Sequence, residues 1–308
     1  MTEHRIIQAK PFLKWAGGKT QLLPTLDCFL PKDFPTQQNA TYIEPFVGGG
    51  AMLFYMLRTY SNIKRAVVND INPHLITTYN VIRDLPGELI ELLEDTQHDF
   101  YKIESIDGQR DFFLGIRNKF NQSALTPVEE AAHMIFLNRT CFNGLYRENS
   151  KGQFNVPFGR YARPTICDKR LLLMDSELLK RVEILQGDFA QTARYAGGYT
   201  LIYLDPPYRP LDATSNFNTY VKEAFDDKEQ TRLKEFFCVM HEDGNHVMLS
   251  NSDGKTHNGD DFLDNLYQGF HIERVSAKRS INSNPQKRNA ITELLIYNYN
   301  DIKAKPNQ

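Results

Sequence analysis

The chain has 308 residues, 41% hydrophobic and 24% charged, with a formal net charge of −2. That length and balance suit an α/β core with a second, smaller domain and exclude a disordered or fibrous chain. No apolar run approaches the roughly 20 residues of a membrane span, the N-terminal MTEHRIIQAKPF lacks the pattern of a signal peptide, and the four cysteines form no C-x-x-C pair. A cytoplasmic protein without membrane attachment, structural zinc or disulfides is therefore expected.

In chain order, KWAGGKT (14–20) comes first and looks like the end of a phosphate-binding loop. The pattern G-x-x-x-x-G-K-[ST] needs a glycine five positions before Gly18, where Leu13 stands, and the preceding QAKPF is not a hydrophobic strand. As a phosphate loop it fails. Strand TYIEPFV (41–47), helix MLFYMLRTY (52–60), strand RAVVND (65–70) and helix HLITTYNVI (74–82) follow. The alternation resumes with strands VEILQGD (182–188) and TLIYLD (200–205), a helix near 227–241 and strand HVMLSN (246–251). A helix over 259–268 and strands HIERVSAK (271–278) and ITELLIYNY (291–299) complete it. Such alternation predicts an α/β fold, a Rossmann-like doubly wound mixed sheet with ligands at the carboxyl ends of its strands. The last two strands have no helix between them and should form an antiparallel hairpin joined by the basic SINSNPQKRN.

Residues 77–169 break the pattern. Acidic helices come first, then CFNGLYRENSKGQFNVPFGRY, read as a β-hairpin turning at Asn149-Ser150-Lys151-Gly152. An inserted helical domain over 77–169 would split the catalytic domain into 1–76 and 170–308. Charge is uneven as well. Seven Lys/Arg and two acids lie between Arg139 and Arg170, a local +5; five Lys/Arg and no acid lie between Arg274 and Thr292, again +5. Nine acids and two bases lie between Asp84 and Asp111, a local −7. One polyanion-binding face would produce this distribution, and so would chance clustering.

Two turns carry chemistry. Pro45-Phe46-Val47-Gly48-Gly49-Gly50 follows the first strand and leads into a helix, where glycines let backbone approach a ligand. Asp70 ends the next strand, where an acid accepts hydrogen bonds from ribose hydroxyls. Asp205-Pro206-Pro207-Tyr208 follows the buried-strand pattern TLIYL. Its prolines remove two N–H donors and leave a carboxylate and a carbonyl beside an aromatic ring. Those groups suit an exocyclic amino group on a flat ring.

The set KWAGGK, EPFVGGG, Asn69-Asp70, Gly187-Asp188-Phe189 and DPPY resembles the S-adenosylmethionine-dependent DNA adenine N6-methyltransferases, of the Dam-like and DpnII-type, GATC-methylating subgroup. The resemblance runs from about Lys10 to Tyr299. It implies an adenine-specific, site-specific DNA-methyltransferase with S-adenosyl-L-methionine as cofactor and double-stranded DNA as substrate. Trp15, Ala16, Gly17 and Lys19 would lie against the methionine end of the cofactor. Phe46, Gly48 and Gly50 would pass beneath it, Asp70 would take the ribose, and Asp188 and Phe189 would hold its adenine. Asp205, Pro206, Pro207 and Tyr208 would form the catalytic turn that binds the flipped adenine, with Asp205 also bordering the cofactor.

In the hairpin the same resemblance gives Arg147 a bidentate guanine contact, Leu145 and Pro157 the thymine methyls, and Phe142 with Asn143 the gap left by the flipped base. Lys14 would contact the outer guanine. Arg139, Lys151, Arg160, Arg163, Arg279, Lys287 and Arg288 are read as backbone contacts, those from Ser276 to Asn289 following the subgroup only loosely, and Tyr161 is counted among the DNA-binding residues. A cognate restriction endonuclease acting on the same site, without a stable complex, is implied as a functional partner; no oligomeric state is. Two other readings stay open on the residues: a cytosine-N4 or other amino-methyltransferase, and an inactive DNA-binding relative.

Overall fold

The computed structural model describes residues 8–15, 17–122, 124–208, 225–277 and 291–304. Seven strands form one mixed sheet: β1 (Ala40–Glu44), β2 (Ile63–Asp70), β3 (Val182–Gln186), β4 (Thr200–Leu204), β5 (His246–Ser252), β6 (His271–Ala277) and β7 (Ile291–Tyr297). Their order is β3-β2-β1-β4-β5-β7-β6. The pairs β1–β2, β1–β4 and β4–β5 are parallel, while β7 is antiparallel to both β5 and β6. The expected C-terminal antiparallel hairpin is therefore present. Its connecting segment lies outside the described residues.

Every residue of β1 and β4 is buried, which explains why TLIYL reads as a near-continuous apolar run rather than an alternating one, while β1 buries the polar Thr41 and Glu44 as well. The predicted helix over 259–268 is a correction. Within that range the helix is α10 (Phe262–Leu266) alone, and Gly259, with φ +80°, closes the preceding helix α9 (Gly254–Asn258). A left-handed glycine is a helix C-cap, so the expected first turn does not form there.

Packing divides the chain into two compact units. One comprises residues up to Gly18, Gly48–Thr59 and Asp70–Gly187; the other comprises Lys19–Val47, Tyr60–Asn69 and Asp188 onward. These borders differ from the 77–169 division read from sequence, whose first boundary falls inside helix α3 (Pro73–Asp84).

In the first unit, α2 (Ala51–Thr59) follows the glycine turn directly. Helix α3 starts on Pro73, with the Asn72 side chain capping the Leu75 N–H. Helices α4 (Pro86–Lys102) and α5 (Ile106–Gln122) follow. Helix α6 (Pro127–Thr140) opens with a Thr126–Glu129 capping box and is buried almost all round, as its lack of an amphipathic pattern requires. The hairpin read from 141–160 is present only as isolated bridges, Cys141 with Phe158 and Glu148 with Phe154. In the second unit α8 (Asp227–Glu242) is capped by Asp226, which accepts from the N–H groups of Lys228 and Glu229. Among the described residues no helix is long and apolar enough to cross a membrane.

Candidate active site

In the first unit the glycine turn is shaped by a tryptophan. Gly48 and Gly50 have φ of +47° and +74°, left-handed values that suit glycine. A Cβ added at Gly48 would lie 2.9 Å from Trp15 Cδ1, and one at Gly49 would lie 2.9 Å from Trp15 Cβ. The close approach expected for a ligand is thus already made by the chain's own indole. Asp70 Oδ2 accepts from the Gly48 N–H at 3.0 Å, and Oδ1 from the Asn72 N–H at 2.9 Å. Burial raises the Asp70 pKa, and these backbone bonds pull it back. An ionised carboxylate has about four acceptor positions, so the backbone bonds from Gly48, Asn72 and Ile71 leave capacity for a ribose hydroxyl. The turn, the acid and the indole fit a nucleoside cofactor. Gly17 is exposed with φ +74°, and Ala16 lies outside the described residues.

Trp15 also carries a ring that sequence reasoning missed. Tyr146 stacks on it with centroids 5.4 Å apart and planes 23° apart. Only 1% of Tyr146 is exposed, and its hydroxyl donates to Glu148 Oε1 at 2.5 Å. Nearby, the buried Asn138 of α6 joins two segments. Its Oδ1 accepts from the Lys14 N–H at 2.9 Å, and its Nδ2 donates to the carbonyls of Lys14 at 2.8 Å and Gly144 at 2.9 Å. The Lys14 side chain crosses Gly144, where a Cβ would stand 2.7 Å from Lys14 Cβ, and its ammonium lies 5.2 Å from the Tyr161 ring centre.

The residues read as DNA contacts are mostly displayed. Phe142 is 51% exposed on a turn whose next residue, Asn143, has φ 56° and donates its N–H to the Tyr161 hydroxyl at 2.9 Å. Leu145 is half-buried and Pro157 exposed. The exposed Arg147 points its Nε at Asn155 Oδ1, 2.7 Å away. Lys151, Arg160 and Arg163 are exposed. Arg139 is different. It is half-buried, its Nη2 donates to the Phe12 carbonyl at 2.7 Å, and burial lowers its pKa. That packing gives it a structural task which its charge alone did not suggest. Arg279, Lys287 and Arg288 lie outside the described residues.

In the second unit, charge gathers at the end of β4. The Lys19 ammonium, 3% exposed, lies 2.9 Å from Asp205 Oδ1 and 4.0 Å from Glu293 Oε2. It stands 4.6 Å from the centre of the Tyr208 ring, whose hydroxyl donates to Glu293 Oε2 at 2.9 Å. Burial raises the pKa of Asp205 and of Glu293, while Lys19 lowers both. Pro206 is buried and Pro207 exposed. Glu293 went unnoticed in the sequence because it sits in an ordinary strand pattern, with β7 bringing it there from far along the chain.

Also in the second unit, Asp188 caps the short turn after β3 by accepting from the Ala190 N–H at 2.9 Å. Its two oxygens take both Arg232 nitrogens at 3.0 and 2.7 Å, and Arg232 lowers its pKa. The Arg232 guanidinium lies 4.2 Å from the centre of the Phe189 ring, and Phe46 packs on Phe189 at 5.2 Å. Arg232 is a further residue the motif left unread. Among the described residues no group of His, Cys, Asp and Glu could hold a metal ion.

A glycine turn closed by a strand-end acid suits a nucleoside, and an Asp-Pro-Pro-Tyr turn at the carboxyl end of a fully buried strand offers acceptors to an amino group. The chain belongs to the D12 class N6 adenine-specific DNA methyltransferases, whose family model matches residues 15–281. It is 44% identical to the type II methyltransferase M.MjaIII of Methanocaldococcus jannaschii, over 95% of this chain and 100% of that one. It is 37% identical to the type II methyltransferase M1.LlaDCHI of Lactococcus lactis, over 95% and 96%. The DNA adenine methylase of Haemophilus influenzae is 34% identical, over 94% and 93%. The enzyme is an adenine-specific DNA methyltransferase.

Proposed function

We propose that the chain methylates N6 of an adenine flipped out of double-stranded DNA, within the sequence GATC, using S-adenosylmethionine, and that it serves a type II restriction-modification system. The observation that carries the chemistry is the Lys19–Asp205 pair beside Tyr208. The N6 lone pair of adenine is delocalised into the ring. Asp205 and the Pro206 carbonyl, accepting the two N6 hydrogens, favour a tetrahedral nitrogen with a localised lone pair. Lys19 holds Asp205 ionised against the effect of burial, and the carboxylate offsets positive charge developing on N6. The Tyr208 ring stacks on the base. S-adenosylmethionine, when bound, supplies a methyl group already activated on sulfonium. Asp205 then accepts the proton that N6 must lose, and releases it to solvent.

Asp70 takes the ribose hydroxyls, Trp15, Gly17 and Lys19 border the methionine end, and Phe46, Asp188 and Phe189 receive the adenine of the cofactor. The target base leaves the stack because N6 cannot be reached within a duplex. Arg147 reads a guanine, Leu145 and Pro157 meet thymine methyls, Phe142 and Asn143 fill the vacated space, and Lys14 reads the outer guanine. The restriction-modification role is supported by the type II methyltransferases among the relatives.

Methylation of a mixed-sequence plasmid, followed by single-molecule mapping of modified bases, tests the proposal. N6-methyladenine confined to GATC is expected, with resistance to endonucleases that such methylation blocks. N4-methylcytosine without N6-methyladenine would overturn the chemistry, and N6-methyladenine at another sequence would overturn the site.

A further inference from the structure

Trp15 and Arg147 belong to different tasks in the proposed function, yet the first unit places one residue in contact with both segments. Tyr146 stacks on Trp15, and its chain neighbours Leu145 and Arg147 are the residues assigned to bases. Burial along this stretch alternates: Gly144 buried, Leu145 half-buried, Tyr146 buried, Arg147 exposed. Side chains of an extended segment point to alternate sides, and Leu145 has the extended φ of −74° and ψ of 150°. The inward ring of Tyr146 is therefore the handle of a strip whose outward side chains face DNA.

Three further contacts keep that strip from moving independently of Trp15. The Tyr146 hydroxyl is anchored on Glu148, and its ring packs on Phe154 at 5.7 Å. Asn155, the next residue, donates its N–H to the Arg147 carbonyl at 3.0 Å and accepts from the Arg147 guanidinium. Separately, the buried Asn138 amide ties Lys14 to Gly144. On the other side, Trp15 fills the space above Gly48 and Gly49, and Gly48 donates to Asp70. A shift of the indole when the cofactor binds must be accommodated by the Tyr146 ring, and hence by the backbone that carries Arg147.

We propose that Tyr146 is a positioning residue that couples cofactor binding to base discrimination, transmitting the position of Trp15 to Leu145 and Arg147. This rests on the proposed function, which puts Trp15 at the cofactor and Arg147 at a guanine. Coupling of this kind is reciprocal: the cognate duplex tightens cofactor binding by the factor by which cofactor tightens duplex binding.

The test uses the full chain and its single tryptophan, whose emission reports on position 15 alone. Affinity for S-adenosylhomocysteine is measured by Trp15 fluorescence and calorimetry, with and without a short duplex carrying the mapped site. In the natural chain the ratio should fall within roughly 5–150-fold. Tyr146→Leu should bring the ratio close to one, shift Trp15 emission in the ligand-free protein, and shrink the preference for cognate over singly mismatched duplex. Tyr146→Phe, which keeps the ring, should retain both. Tyr146→Met replaces the leucine variant if that one does not fold. A natural ratio and natural discrimination in a folded Tyr146→Leu or Tyr146→Met protein would overturn the inference. Failure of the natural chain to bind S-adenosylhomocysteine or to modify adenine would instead overturn the function beneath it.

Discussion

The end of β4 and the bridged segment 141–160 handle charge in opposite ways. At β4, a lysine and two carboxylates share a space where burial raises both acids' pKa and Lys19 opposes that rise at each, so both acids lean on the same lysine to stay ionised. In the segment, Arg147, Lys151 and Arg160 stand in solvent on a backbone held by isolated bridges and the Asn138 amide. Burying charge makes each member costly to remove, because the partner left behind is unpaired. Displaying charge makes each member cheap to change and leaves the backbone to fix its direction. On the proposed function, chemistry falls to the first arrangement and reading to the second.

Asp205→Ala breaks the first arrangement outright. Methyl transfer should fall by on the order of a thousandfold while duplex binding persists in gel-shift measurements; near-normal turnover would remove Asp205 from the reaction. Lys19→Met asks whether the pairing sets the ionisation. Burial raises the Asp205 pKa and Lys19 opposes that rise. The natural enzyme should thus lose activity on acidification at a pH above the ordinary carboxylate value of 3.8. With Lys19 gone, burial acts unopposed, so the acid limb of the kcat–pH profile should move further up. A limb that stays put would show that Lys19 acts elsewhere.

The displayed arrangement is probed by Arg147→Ala, expected to cost about 1–3 kcal/mol in discrimination at one guanine and little elsewhere. Competition between duplexes differing at single positions measures this, and equal loss on every sequence would make Arg147 a phosphate contact. Arg232→Gln should have the smallest effect. Exposed pairs such as Asp188–Arg232 contribute roughly 0–1 kcal/mol, so the KM for S-adenosylmethionine should rise no more than about fivefold. A much larger rise would show that Arg232 does more than orient Asp188 and cover Phe189.

Local signals made much of this legible. The apolar run TLIYL marked β4 as a buried strand, and the proline turn after it marked the acceptors of the proposed chemistry. What stayed hidden came from residues meeting over long separations. Glu293 reads as one more strand position until β7 pairs with β5 and β6. Tyr146 reads as one aromatic among several until Trp15 lies against it, and Arg232 as a solvated helix residue until Asp188 takes both its nitrogens. Arg139 shows the converse, a basic residue in a basic stretch whose guanidinium turned inward to a backbone carbonyl. The late start of the helix expected over 259–268 was legible in principle, since Gly259 is a stop signal for the helix before it.

The amide at position 138 carries a consequence of its own. It spends one acceptor and two donors on three backbone partners, and few side chains offer that set at that reach. Aspartate would surrender both donors and bring a buried charge; leucine would leave three backbone groups dry; glutamine would carry the same head on too long an arm. Deamidation there would replace the amide donors with a carboxylate and unfasten Lys14 from Gly144.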